Sequence, residues 1–484
     1  MTRKAVVIGS GIGGLSSAIR LAVKGYEVEV FEKNQEPGGK LVEFKLGPYR
    51  FDFGPSLFTM PQYVDELFAI AGRNPKDYFR YKSLDEACRY FYPDGLEFIA
   101  PTDPQKFAEK ASEIFDVSEK QITKYFDYNE KILKKSGHIF LNEPVHKLKT
   151  FLNSKALNAA AQSYVIELFR SMNTANKKAL KDPKLVKLFN RYATYNGSSP
   201  FQAPAILNSI SVLEHLHGTY YPTGGMSSIT QALYQLALSL QVKFTFNEKV
   251  DEILYEKSIV KGIRIGDKQV DANVVVSNMD VGLAYNQLLP KMNPPSFYAN
   301  REKSSSAVIF YWGVRTQVKK LGLHNIFFAQ DYSEEFEDIF NRKQIHADPT
   351  IYINNTSFYD SGDAPEGCSN WFVMVNAPAV RNINIDALRN NVILKLERLL
   401  KIDLADLIEE ERVVTPQIIE SQTLSHQGAL YGSSSNSWIN AFIRHPNFSG
   451  KLKGLYFVGG SVHPGGGIPL CLLSAKIATE LIDE

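Results

Sequence analysis

Ala5-Val6-Val7-Ile8-Gly9-Ser10-Gly11-Ile12-Gly13-Gly14 reads as a short apolar strand running into a glycine-rich turn. A helix-like run continues to Lys24, Gly25 stops it, and Tyr26-Glu27-Val28-Glu29-Val30-Phe31-Glu32 alternates as a second strand. Glycines at 9, 11 and 14 match the dinucleotide fingerprint, which needs a tight turn, close backbone approach to a pyrophosphate and close helix–strand packing. The first N–H groups of the helix, around Ile12 and Gly13, would face the phosphates, where the helix dipole favours negative charge. Glu32 closes the second strand, where a carboxylate can accept a hydrogen bond from a ribose hydroxyl. Strand, helix, second strand and terminal acid together predict a βαβ unit that holds a dinucleotide. The turn alone does not separate NAD from FAD.

Working outward, Lys33-Asn34-Gln35-Glu36-Pro37-Gly38-Gly39-Lys40 is a turn with consecutive glycines and a cation at its end. Placed after the ribose-binding strand, it makes Lys33, Gly39 and Lys40 candidates for the cofactor side. Asp52-Phe53-Gly54-Pro55-Ser56 follows a short alternating strand from Tyr49 and returns to the same place. Val274-Val275-Val276 is a short buried strand whose end, Ser277-Asn278, is a turn, and Asn278 joins the candidates.

A second glycine-rich strand–turn–helix lies near the other end of the sequence. Gly454-Leu455-Tyr456-Phe457-Val458-Gly459-Gly460 is a buried strand entering a turn, and His463-Pro464-Gly465-Gly466-Gly467-Ile468 leads into a helix from Leu470 to Ile482. Its N–H groups and positive helix end can stand beside an isoalloxazine ring, so the pair of motifs favours FAD. His463 is a candidate catalytic base, although its place before Pro464 fits a structural role equally well.

Between the motifs the texture changes. Cys88 to Tyr92 and Glu97 to Ile99 flank Pro93-Asp94-Gly95 as a hairpin. Residues from about 104 to 192 are almost entirely helix-like, and α/β texture returns between about 220 and 285. Strands at Ala307 to Trp312 and Trp371 to Val375 then precede a helix at Ile385 to Leu400. The expected domains are a nucleotide unit in three pieces (1–75, 216–290 and 421–484), a largely helical part at 76–215 and a further substrate part at 291–420. Lys147 to Arg191 carries ten cations against Glu167 and Asp182. Such a stretch is either a solvated lysine face or a basic, partly apolar surface that rests on anionic headgroups.

Composition narrows the classes. At 484 residues the chain exceeds what one core supports. Its 54 basic and 52 acidic residues leave a net +2, which argues against a nucleic-acid binder. Cys88, Cys368 and Cys471 are scattered and odd in number, giving neither a disulfide framework nor metal spacing. No apolar run is long enough to span a bilayer, and the first strand begins at once, so a cytoplasmic chain is expected.

The N-terminal fingerprint, Glu32 to Lys40, Asp52 to Ser56, Pro222-Thr223-Gly224-Gly225-Met226 and Lys453 to Ile468 together resemble the FAD-dependent carotenoid desaturases of the bacterial phytoene-desaturase type, in particular the branch acting on 1-hydroxylated carotenoids. Departures are mild: Lys40 stands where Arg is common, Lys453 where Asn is, Val462 where Thr or Ala is, and Gly466 where another small residue is usual. The resemblance implies an α/β fold, a Rossmann-like FAD-binding domain assembled from discontinuous segments. An inserted α+β substrate domain would contain a helix-rich, membrane-facing part. It implies FAD held by Gly9, Gly11, Ile12, Gly13, Gly14 and Glu32, with Lys40, Gly54, Pro55 and Ser56 close by. Val250 would meet the adenine, and Gly459, Gly460, Gly467 and Ile468 the isoalloxazine side. The implied reaction is a 3,4-desaturation by hydride transfer to flavin N5, with oxygen or a quinone as final acceptor. The carotenoid would be drawn from the bilayer by a peripherally bound protein. Other desaturases, saturases or isomerases of the same family, a flavin amine oxidase and a non-enzymatic isoprenoid-lipid carrier are the alternatives.

Overall fold

The strand Lys4–Ile8 lies at the centre of a five-stranded parallel sheet in the order Leu455–Phe457, Val274–Ser277, Lys4–Ile8, Glu27–Phe31, Lys243–Thr245. The structure is a computed structural model that describes residues 3–142, 166–295, 298, 301–380 and 383–482. Successive side chains of a strand point to opposite faces, and here both faces are covered. Ala5 and Val7 join one core with Leu15, Ile19, Leu233 and Leu472, from the helices Ile12–Val23, Ser227–Ser239 and Ile468–Leu481. Val6 and Ile8 join another with Ile253 and Ile263, from a three-stranded antiparallel meander, Glu252–Glu256, Ile259–Ile265 and Lys268–Asp271. The sheet therefore draws its strands from three distant segments.

A second, seven-stranded sheet has the order Ile408–Val414, Ser306–Val314, Ser369–Ala377, Ile351–Asn354, His324–Phe327, Glu86–Phe91, Glu97–Pro101. All its neighbours are antiparallel except His324–Phe327 with Glu86–Phe91. Val308, Phe310 and Trp312 face the helix Ile385–Leu400, whereas Ala307, Ile309 and Tyr311 pack on Tyr49, Phe51 and Phe53 of the hairpin Glu43–Leu46/Tyr49–Asp52. The Pro93-Asp94-Gly95 hairpin is present, but its strands complete this sheet. Segment 76–215 is thus helical only beyond Pro104, where Pro104–Ile114, Glu119–Asn142, Met172–Leu180 and Pro183–Asn190 form a separate aromatic core.

The basic stretch is only partly a surface. Lys147, Lys149 and Lys155 lie outside the described residues. Arg191 is buried, Lys187 donates to the carbonyl of Ala329, Lys184 pairs with Asp94, and Arg170 pairs with Glu167. Lys184, Lys187 and Arg191 tie the helical part to the hairpin and the sheet, which corrects the reading of the whole stretch as one patch. Lys177, Lys178 and Lys181 remain exposed. Among the described residues no helix is long and apolar enough to cross a membrane.

Candidate functional site

One cavity of about 580 Å³ runs from the ends of the parallel strands to the seven-stranded sheet and the helices beyond it. Its position outside the carboxyl ends of parallel strands is where such sheets bind ligands. Gly9, Gly11, Ile12 and Gly13 line it, as do Glu32, Lys33, Gly39, Lys40, Gly54, Pro55, Ser56, Val250, Asn278, Gly459, Gly460, Gly467 and Ile468. Two sequence candidates lie outside the wall. Gly14 sits behind it, where a Cβ would come within 2.0 Å of the Gly9 carbonyl oxygen. It packs the helix against the turn. His463 is buried away from the cavity, its N–H donating to the His445 carbonyl and its own carbonyl accepting from Asn447 Nδ2. The protein matrix around it favours the structural role.

At one end the Glu32 carboxylate accepts from the Ser10 backbone N–H at 2.8 Å, from Ser10 Oγ at 2.9 Å and from the Asn34 N–H at 3.0 Å. These bonds fix the acid at the mouth of the glycine turn. Asn278 fills the space the glycines leave. A Cβ on Gly11 would stand 2.7 Å from its Nδ2, and one on Gly13 or Gly459 would stand 2.7 or 2.8 Å from its Oδ1. The amide thus locks the two glycine turns to each other.

Both helices that open on the cavity lack a side-chain cap, Ile12–Val23 at Gly11 and Ile468–Leu481 at Gly467. Their first N–H groups have no acceptor within the helix and face a shared space, which suits an anion or a polarised ring. Gly467 has φ +107 and nothing within 4 Å of a Cβ position, so a side chain there would intrude on the cavity. Gly466 has the opposite reason: a Cβ would lie 2.7 Å from the Tyr431 ring. The departure at Gly466 therefore goes with Tyr431.

Two cations complete this part of the wall. Lys40 Nζ donates to the Leu430 carbonyl at 3.0 Å, and burial lowers its pKa, partly offset by Asp280 and Cys471. Arg444 donates to the Tyr431 carbonyl, and burial pushes it down to about 10. The loop Asp52–Ser56 is placed by an ion network that residue patterns did not reveal. Arg50 pairs with Asp52 at 2.8 Å and Glu43 at 2.7 Å, and Asp52 accepts from the N–H groups of Met226 and Ser227 at the start of the helix Ser227–Ser239. A Cβ on Gly225 would meet the Arg50 guanidinium at 2.2 Å, which explains the second glycine of Pro222 to Met226.

The far wall is apolar, with Ile309, Ile326, Phe372 and Met374 from one face of the seven-stranded sheet and Ile206, Ile210 and Leu213 from the helical part. Set into it is a buried polar group that sequence reading missed. Arg191 bonds the hydroxyls of Tyr90 at 2.8 Å and Tyr195 at 3.0 Å and approaches Glu214 at 3.5 Å, and Glu214 accepts from Tyr192 at 2.7 Å and from Tyr195. Burial pushes the Glu214 carboxyl up, but Arg191, His215 and the tyrosine hydroxyls outweigh it and hold it below the usual range.

Residues 12–483 match the family model described as flavin containing amine oxidoreductase. The chain belongs to this family. It is 47% identical, over 99% of both chains, to a 1-hydroxycarotenoid 3,4-desaturase of Flavobacterium sp. (strain P99-3). It is 31% identical, over 99% of its length and 98% of the relative, to a 4,4'-diapolycopene oxygenase of Methylomonas sp.. Cyclohexylamine oxidase from Brevibacterium oxydans IH-35A shares the fold, with TM-score 0.61 and 14% identity over the whole of both chains. The family chain is an FAD-dependent oxidoreductase, as the paired glycine motifs led one to expect, and the resemblance to carotenoid desaturases is borne out by these relatives. The cavity fits the cofactor: two uncapped helix ends, a side-chain-free position at Gly467 and an anchored carboxylate at Glu32 are the groups a flavin dinucleotide needs.

Proposed function

We propose that the chain introduces a carbon–carbon double bond into a long acyclic carotenoid, and that its substrate is a 1-hydroxylated carotenoid desaturated at the 3,4 position. The observation that carries this reading is the likeness, at 47% identity across the chain, to a 1-hydroxycarotenoid 3,4-desaturase. It is supported by a single cavity that joins the glycine cradle to a long apolar wall.

Gly9, Gly11, Ile12, Gly13 and Glu32 would hold the nucleotide end of FAD, Val250 the adenine, and Gly459, Gly460, Gly467 and Ile468 the ring end, with Lys33, Gly39, Lys40, Gly54, Pro55, Ser56 and Asn278 between. Bound FAD supplies the hydride acceptor for the reaction. The chain's part is to lay the polyene along Ile309, Phe372 and Met374 and to keep water out. A hydride leaves one carbon and a proton its neighbour, and conjugation spreads the charge between the two events. The polyene itself stabilises the positive charge, so the reaction does not call for a strong base.

At roughly 0.8 kcal/mol per buried CH₂, moving such a hydrocarbon through water would cost tens of kcal/mol, so the substrate passes directly from lipid. Exposed Phe169 packs against Trp438 at 6.1 Å between ring centroids, and Ile439 and Ile443 are exposed beside it. The same short helix, Trp438–Phe442, contributes Ala441 and Phe442 to the cavity wall. This apolar rim, with Lys177, Lys178 and Lys181, is the candidate membrane-facing surface of a peripherally bound enzyme, with oxygen or a quinone as its electron acceptor.

Purified protein loaded with FAD and given liposomes carrying 1-hydroxylated or hydroxyl-free acyclic carotenoids tests the reading. A red-shifted product from the hydroxylated substrate is expected. Peroxide production from amines with no change in any carotenoid spectrum would replace this reading with an amine oxidase.

A further inference from the structure

From Ser56, at the edge of the cradle for the dinucleotide, a hydrogen-bonded row of side chains that the cradle does not use runs along the cavity wall. Ser56 Oγ and the Tyr352 hydroxyl are 2.8 Å apart, and the Tyr352 hydroxyl is 2.7 Å from His324 Nδ1. Asn354 Nδ2, a group that can only donate, stands 3.4 Å from the same nitrogen. Nδ1 is therefore the acceptor, and in the neutral ring the proton sits on Nε2. Burial favours that neutral ring, lowering the His324 pKa to about 4. The ring is 5% exposed, lines the cavity, and its Nε2 has no hydrogen-bond partner among the described residues.

Arg191 offers a second such donor. Its terminal nitrogens are taken by Tyr90, Tyr195 and Glu214, while Nε is buried and without a partner among the described residues. It lines the same cavity, and its charge and that of Glu214 act on the His324 ring. Two buried N–H groups without acceptors among the described residues, in the mostly apolar far wall of one cavity, are an exception to how interiors are built and point to a ligand atom that accepts.

We propose that His324 Nε2–H, oriented by Tyr352 and Ser56 and assisted by Arg191 Nε–H, recognises the oxygen of a tertiary alcohol at the end of the substrate. The inference rests on the reading of the substrate as a 1-hydroxylated carotenoid and assigns the residues that make the hydroxyl matter. In that substrate the oxygen is three bonds from C3, so its binding group must stand beside the reacting bond. The row begins at Ser56, in the loop where Gly54 lies against the Lys40 carbonyl (a Cβ on Gly54 would be 2.4 Å from it). A hydroxyl oxygen can accept from two donors. A hydrocarbon end accepts from none and leaves both buried donors unpaired, which is how a polar pocket rejects an analogue lacking the hydroxyl.

The test compares kcat/KM for a 1-hydroxylated carotenoid with that for its hydroxyl-free counterpart, in liposomes, for the FAD-loaded wild type, His324→Phe, His324→Gln and Tyr352→Phe. The wild type is expected to prefer the hydroxylated substrate. His324→Phe should reduce that preference by roughly ten- to a hundredfold, and His324→Gln, which restores a donor, should recover part of it. Tyr352→Phe, which leaves the ring in place but frees the tautomer, should reduce the preference several-fold, and it serves as the test if His324→Phe does not accumulate. A wild type with no preference overturns the substrate reading and the inference with it. A wild-type preference that survives His324→Phe, or that survives Tyr352→Phe where His324→Phe does not fold, overturns the inference alone.

Discussion

A Cβ on Gly14 would lie 2.0 Å from the carbonyl oxygen of Gly9, well inside the distance any real side chain reaches. The helix Ile12–Val23 packs this closely on the strand Lys4–Ile8 because position 14 has no side chain, and the closeness aims the helix N-terminus at the cavity. Gly14→Ala must push the helix outward. The expected result is a protein that purifies with little or no yellow colour and melts several degrees lower, at a cost of about 1–3 kcal/mol for overpacking. Flavin absorbance and thermal melts check it. A fully flavinated variant with an unchanged melt would remove the packing argument.

Glu32 keeps its position through three hydrogen bonds, two of them from Ser10. Glu32→Ala loses these and the acceptor for the ribose. FAD affinity should fall by about 2–3 kcal/mol, a rise in Kd of roughly 30- to 150-fold. Titration by flavin fluorescence quenching reads it. Glu32→Gln, which keeps one acceptor oxygen, should lose less than Glu32→Ala.

Stability should depend on pH through His324. Its folded pKa is about 4 against an ordinary 6.5, so between these values the unfolded chain binds the proton and the folded one does not. Stability from this group is complete above pH 6.5 and is lost as pH falls towards 4, up to about 3 kcal/mol. Urea melts at several pH values, at one FAD concentration, should show a steeper fall for wild type than for His324→Phe across that window. Parallel curves would place the titrating group elsewhere.

Membrane attachment should depend on Trp438 as well as on charge. Charge reversal at Lys177, Lys178 and Lys181 is expected to weaken binding to anionic liposomes, by about 1 kcal/mol for each cation near the surface. Trp438→Ser should weaken binding to neutral liposomes too, since the loss there is apolar. Co-sedimentation measures both. Unchanged partition for both variants would detach this face from the membrane.

The first two strands and their helix were legible because each element is coded by neighbours in the chain: alternation in Tyr26 to Glu32, glycine spacing from Gly9 to Gly14, and a terminal acid. The helix expected at Ile385 to Leu400 is present with the same bounds. The basic stretch misled in part because sequence records charge without burial, and Arg191 is spent on Tyr90, Tyr195 and Glu214. His463 drew attention as a histidine in a glycine motif, but its neighbours enclose it away from the cavity.

By itself the sequence determined the cofactor class and the glycine-rich turns that line the cavity, because backbone conformation at such turns follows from local residue spacing. Only the tertiary structure decided how the two glycine turns close on Asn278, why Gly225 makes room for Arg50, and which polar side chains line the cavity. Ser56 comes from the loop after the Tyr49–Asp52 strand, His324 and Tyr352 from neighbouring strands of the seven-stranded sheet and Arg191 from the helical part, and no local pattern connects them. Their meeting is a consequence of how the loop, the sheet and the helical part pack around one cavity.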